Sequence, residues 1–299
     1  SLKESEDNHK LLTCACYNGH EEVVRLLLSG SNIDVNRVIT ECRFTPLFIA
    51  CQRGHEGVVR VLLDHTATDV NQARTDIGIT PLWAACQSGH EGVVRLLLDH
   101  AATDVNQAKT DDGVTPLWTA CQNNHERVVR LLLDHAATDV NRARTDFGIT
   151  PLWIACQIGH ERVVQLLLNH AKIDVNQART DFGISPLFVA CEGGHEGVVR
   201  LLLTHAATDV NQATTDEYGF TPLYISCYLR STEIVKLLLS DSRTDRIRPT
   251  DEEYAQVYDE VLRNVKSERN SRFRGLIRAA VVFRRMRLRA AMIVYAPGG

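Results

Sequence analysis

Cysteine and histidine sit four residues apart six times in this chain: Cys16/His20, Cys51/His55, Cys86/His90, Cys121/His125, Cys156/His160 and Cys191/His195. At that spacing two side chains can share one face of a helix, so the pairs have the residue types of a metal site or a thiol–imidazole dyad. Their surroundings argue otherwise. Each Cys is in phase with Leu and Ala of an apolar face, and each His lies beyond a glycine (Asn124 in one case) that ends the helix. Equivalent residues of neighbouring repeats are expected ~10 Å apart, the usual distance between packed helices, so ligands from two repeats do not converge. A buried Cys behaves as a small hydrophobe. A second histidine series, His65, His100, His135, His170 and His205, falls at the exit of a helix, where a cationic ring complements the helix dipole. No glycine-rich loop opens a helix with a Lys, as a phosphate site requires. The residues therefore point to no catalytic, cofactor or metal site, and to a protein that is not an enzyme.

What positions these residues is a repeat. Pro46, Pro81, Pro116, Pro151 and Pro186 are 35 residues apart, and Pro222 follows after 36. The recurring phrase is Thr-Pro-Leu-Trp-x-Ala-Cys-Gln-x-Gly-His-Glu-x-Val-Val-Arg-Leu-Leu-Leu, followed by Asp-Val-Asn and a turn, and the chain holds seven units. Thr80 is an N-cap and Pro81 suits the first helical position, where its missing N–H costs nothing. Leu82, Ala85 and Cys86 then share a face. Gly89 ends this first helix, and Asn124 takes the place of glycine in one unit. The second helix starts near Glu91 and carries Val93, Val94, Leu96, Leu97 and Leu98. Four Glu/Arg pairs at i, i+4 (Glu56/Arg60, Glu91/Arg95, Glu126/Arg130, Glu196/Arg200) would each add ~0.3 kcal/mol to its outer face. The stretch that joins one unit to the next is turn-rich and reads as a hairpin. One unit cannot bury both apolar faces alone, whereas a stack can. The terminal units are degenerate: His9-Lys10-Leu11 replaces Thr-Pro in the first, and Arg230-Ser231-Thr232 replaces Gly-His-Glu in the last.

The Thr-Pro-Leu-x-x-Ala core, the Gly-His-x-x-Val-Val-x-Leu-Leu-Leu second helix and the Asp-Val-Asn after it resemble the ankyrin repeat over roughly residues 8–245. The resemblance implies an all-α solenoid of antiparallel helix pairs with protruding hairpins, and a concave surface of inner helices and hairpins that binds proteins. Three features depart from the family pattern. The period is 35 instead of 33. The His that usually follows Thr-Pro-Leu is aromatic (Phe48, Trp83, Trp118, Trp153, Phe188, Tyr224). The Gly that usually closes the second helix is alanine (Ala101, Ala136, Ala206).

Comparison of the units within the chain identifies candidate contact residues. The position before the hairpin Gly reads Ile77, Asp112, Phe147, Phe182 and Tyr218, and the end of one inner helix offers Ile158. Phe147, Phe182 and Tyr218 at hairpin tips would form an apolar ridge, and such patches mark interaction sites. The position after the Gly (Ile79, Val114, Ile149, Ile184, Phe220) either joins that ridge or tucks against the next hairpin. The main contact is expected on units four to seven.

Two electrostatic bodies follow from the charge distribution. Residues 261–299 hold ten Lys/Arg and one acid, a net of +9, and the rest of the chain holds 23 basic and 36 acidic residues, a net of −13. Domains are therefore expected at 1–245, the array, and 246–299, C-terminal helices. Thr250-Asp251-Glu252-Glu253 reads as a capping box before one helix. A second, basic and moderately amphipathic helix is expected from about Ser271, with Arg274, Arg278, Arg285 and Arg289 on one stripe and Phe273, Leu276, Ala280 and Phe283 roughly opposite. Such a helix suits an acidic partner or a membrane surface, or docks on the acidic array itself; nucleic acid is not expected. The in-phase cysteines read as reduced thiols, which places the protein inside the cell, in cytoplasm or nucleus. The expected role is a monomeric scaffold or adaptor that holds a protein partner. The alternative is a targeting arm of a larger protein whose active domain lies elsewhere.

Overall fold

The computed structural model describes residues 2–30, 33–38, 43–216 and 218–244, and it holds fourteen α-helices and no strands among them. Inner helices α1 (Leu2–Asn18), α3 (Pro46–Arg53), α5 (Pro81–Ser88), α7 (Pro116–Gln122), α9 (Pro151–Ile158), α11 (Pro186–Gly193) and α13 (Pro222–Tyr228) alternate with outer ones. The outer set is α2 (Glu21–Gly30), α4 (Glu56–Leu63), α6 (Glu91–Leu98), α8 (Glu126–Asp134), α10 (Glu161–Leu168), α12 (Glu196–Thr204) and α14 (Thr232–Ser240). Each inner helix packs on the inner helices beside it and on its own outer partner, and outer packs on outer. The result is a tandem stack of seven helix pairs, the all-α solenoid expected. The helices read from residues 250–289 lie outside the described residues.

The local rules hold unit by unit. Thr45, Thr80, Thr115, Thr150, Ser185 and Thr221 each accept the backbone N–H three residues on, with Pro at the first helical position. Gly54, Gly89, Gly159 and Gly194 close their inner helices at φ between 74° and 88°. Asn124 takes the same left-handed conformation at φ 59°, and Arg230 does so at φ 56° in the last unit. Of the four expected Glu/Arg pairs, Glu91–Arg95 forms at 3.0 Å, and Glu21–Arg25 adds another at 2.8 Å. Glu56 instead fills the space above Gly92 of the next outer helix.

The core runs the length of the stack. Each inner helix buries a Leu and a Cys, with an aromatic in all but α1 and an Ala in all but α13, where Ser226 takes its place; each outer helix buries two β-branched residues and a Leu, except α2, which buries Val24 alone. The departure from Thr-Pro-Leu-His is resolved here: all six aromatics at that position are buried. The Nε1–H groups of Trp118 and Trp153 donate to the carbonyls of Ile149 and Ile184 in the following hairpins, at 3.1 and 2.8 Å. These indoles therefore fill the inner helix and tie it to the next unit. The first unit differs most. Helix α1 runs 17 residues, through the stretch where later units place a hairpin, and His9 accepts the Asp34 N–H on Nε2 at 3.1 Å.

Candidate functional site

The Cys/His pairs are divided between two structural tasks. The seven in-phase thiols are buried, and burial raises their pKa values, to about 12 for Cys16, Cys191 and Cys227 and well above the ordinary thiol value for Cys51. They are held as neutral packing groups. The histidines bridge units: Nε2 of His90, His125, His160 and His195 lies 2.9–3.1 Å from the carbonyls of Gln52, Gln87, Gln122 and Gln157 in the preceding unit. His55 makes the same bridge to the Tyr17 carbonyl at 2.9 Å. All of these rings but His160, which follows Asn124, rest on the glycine that ends the preceding inner helix; a Cβ on Gly54 would lie 2.7 Å from His90 Nδ1. Glycine thus serves twice there, for its positive φ and for room to seat the next histidine. The last unit has Ser231 in place of His, and Gly194 before it faces open space.

Two further ladders cross the unit boundaries, the second of them as far as Arg179. Asn71 donates from Nδ2 to the Ala102 carbonyl at 2.6 Å and accepts the Asp104 N–H on Oδ1 at 2.8 Å. Asn36, Asn106, Asn141 and Asn176 repeat that double bridge. The hairpins form the second ladder. Arg74, Arg144 and Arg179 fork onto Asp76, Asp146 and Asp181 two residues on, and Lys109 pairs with Asp111 and Asp112 at 3.4 and 3.3 Å. Each cation also lies over an aromatic ring of the unit before: Arg74 over Phe44, Lys109 over Trp83, Arg144 over Trp118, and Arg179 over both Trp153 and Phe147, at 4.8–5.8 Å from the centroids. Sequence reasoning missed this ladder, although its signal, Arg/Lys-Thr-Asp in phase with the repeat, was present. Backbone bonds reinforce it: the Thr110, Thr145, Thr180 and Thr215 N–H groups donate to the tip carbonyls of Ile77, Asp112, Phe147 and Phe182 at 2.9–3.2 Å.

The six candidate contact residues separate on this frame. Ile77 packs against the core. Asp112 is engaged by Lys109 at 3.3 Å and Arg144 at 3.6 Å, and it caps the Val114 N–H. Phe147 was expected at an exposed tip; it is half-buried because the Arg179 guanidinium covers its ring. Phe182 is 49% exposed, Tyr218 51% and Ile158 40%. Tyr218 stacks on Phe220, with centroids 5.3 Å apart. Of the positions after the hairpin Gly, Ile79, Val114, Ile184 and Phe220 are buried and tuck inward. The apolar ridge therefore belongs to units five to seven. The other exposed apolar side chains lie at the opposite end, with Leu26 of α2 71% exposed.

A stack of helix pairs bridged along its length by repeated His, Asn and hairpin contacts defines a helical tandem-repeat solenoid. A family model described as ankyrin repeats (three copies) matches residues 2–74, 68–144, 92–179, 135–214 and 152–249. The chain belongs to the ankyrin-repeat family, whose members are modules of protein–protein interaction. A search of curated proteins finds no match. Among the described residues no helix is long and apolar enough to cross a membrane, and no group of three His, Cys, Asp or Glu side chains is placed to hold a metal ion.

Proposed function

We propose that the array is a recruitment scaffold that holds a segment of a partner protein along the hairpin tips and inner-helix ends of units five to seven, the concave side of the solenoid. The observation that carries this reading is the exposure of Ile158, Phe182 and Tyr218 in three consecutive units, while the other exposed large apolar side chains lie in the first unit, at the far end. Apolar anchors on a rigid frame are the usual source of binding energy at such surfaces. The frame is rigid because each tip is bonded to the next through its carbonyl. The chemistry rests on burial and shape, since the buried thiols are neutral and the bridging histidines are bonded to carbonyls. Affinity capture from cells tests the reading: a chain with Phe147→Asp and Phe182→Asp should lose its partner, and capture equal to the parent chain would refute it.

A further inference from the structure

The hairpin ladder of arginines stops one unit before the array does. Arg179 is the last of the four cations, and the next residue in phase is Thr214. Thr214 bonds Asp216 through its hydroxyl at 2.7 Å, and one carboxylate oxygen of Asp216 also accepts the Gly219 N–H at 3.2 Å. No Lys or Arg among the described residues reaches the Asp216 carboxylate. Phe182, which stands where Phe147 stands one unit earlier, has no guanidinium of the described residues over its ring and is 49% exposed. So among the described residues one hairpin boundary has the aromatic ring and the carboxylate of the earlier boundaries without the cation that joins them. The preceding boundary gives the filled form: Arg179 lies 5.2 Å from the Phe147 centroid while it forks onto Asp181.

We infer that Phe182 and Asp216 form a binding site for an arginine side chain, and that the arginine comes from residues 272–289 of this same chain. Arginine fits better than lysine because its planar guanidinium stacks on a ring and meets a carboxylate at once. The basic stretch is sequence outside the described residues, and three observations make it the occupant. It holds seven arginines, within a segment of net +9, while the chain before residue 261 carries −13. The described chain leaves the array beside the site, for Asn211 at the base of the same hairpin donates to the Arg243 carbonyl at 2.7 Å. The 27 residues from 245 to 271 separate that exit from the basic stretch, enough chain to return to the neighbouring hairpin at a high effective concentration. The site lies on the ridge proposed for the partner, so the tail would compete with it, yet the tail contact forms in the purified chain with no partner present.

Hydrogen exchange on the full chain tests this. Replacing Arg274, Arg278, Arg285 and Arg289 by Gln should speed exchange at the Thr215 and Gly219 amides by about tenfold or more, with α5 and α6 unaffected. In an Asp216→Asn or Phe182→Leu background the same tail substitutions should have no further effect. Arg→Lys at the four positions should give an intermediate rate. Unchanged exchange in the Gln variant would overturn the tail as occupant. A full effect of the Gln variant in the Asp216→Asn background would overturn the site, and Lys substituting without loss would overturn the arginine assignment. None of these measurements involves the partner, so their failure and failure of the recruitment reading are distinct.

Discussion

Glycine and histidine work as a pair at the ends of four inner helices, and no single unit contains both members. Gly54 belongs to one unit and His90, the ring that occupies the space beside it, to the next. The chain supplies its own control, because Gly194 has nearly the same φ (+75° against +78°) but no neighbour within 4 Å. Gly194→Ala should cost about 1–2 kcal/mol, the cost of a left-handed residue with a Cβ. Gly54→Ala should cost roughly 2 kcal/mol more, since the neighbouring ring must also move. Urea unfolding measures both, and in a His90→Ala background the excess should vanish. The sequence marks the glycines as helix ends, and rightly. It conceals their second role, because the ring that needs the space is 36 residues away and only stacking brings the two together. Asn124 shows that the left-handed conformation can be kept with a side chain, with His160 still 3.1 Å from the Gln122 carbonyl.

Helices were the most legible elements and hairpins the least. Caps, prolines and apolar periods are local, so inner and outer helices follow from the residues within each. The fate of a hairpin tip is decided by the next hairpin. Phe147 and Phe182 have the same sequence context, Thr-Asp-Phe-Gly-Ile or Thr-Asp-Phe-Gly-Ile-Ser, yet one lies under Arg179 and the other has Thr214 in the corresponding place. Arg179→Ala should therefore expose Phe147 and free Asp181, at a cost of about 1–3 kcal/mol for a charge-assisted pair, read as a lower urea midpoint. The asparagine ladder gives a second expectation for the elements it joins. Asn106→Ala removes both bridges, to Ala137 and Asp139, and should cost about 1–3 kcal/mol. Because units couple to nearest neighbours, the loss should broaden the unfolding transition at that boundary instead of lowering all units equally.

The whole molecule is a column of buried thiols and aromatics between two unlike ends, and its stability should carry the signature of the thiols. Burial raises their pKa values in the folded state, so folded thiols keep protons that unfolded ones release. Their contribution is fully present below the unfolded thiol pKa of ~8.5 and is lost as pH rises through the range up to the folded value, about 12 for Cys16, Cys191 and Cys227. Each such cysteine should remove up to ~1.4 kcal/mol of stability per pH unit within that window, so the urea midpoint should be flat near pH 7–8 and fall steeply above it. Cys→Ala at Cys191 should flatten the alkaline fall. At this scale the solenoid and its unit count were legible from the 35-residue period, and the family from the Thr-Pro-Leu-x-x-Ala and Gly-His motifs that recur in phase with it. The exposed apolar ridge was only half legible: units four to seven were marked for it, and the arginine over Phe147 leaves the exposed part on units five to seven. The central claim is that this ridge holds the partner. Its most direct test is the affinity of the captured partner for the chain carrying Phe182→Asp and Tyr218→Asp, against a control carrying Leu26→Asp at the far end of the array. The account predicts at least about a hundredfold weaker binding for the ridge variant, in line with two lost anchors, an unchanged thermal midpoint and no effect of the control. Equal affinity of the ridge variant and the parent chain would contradict it.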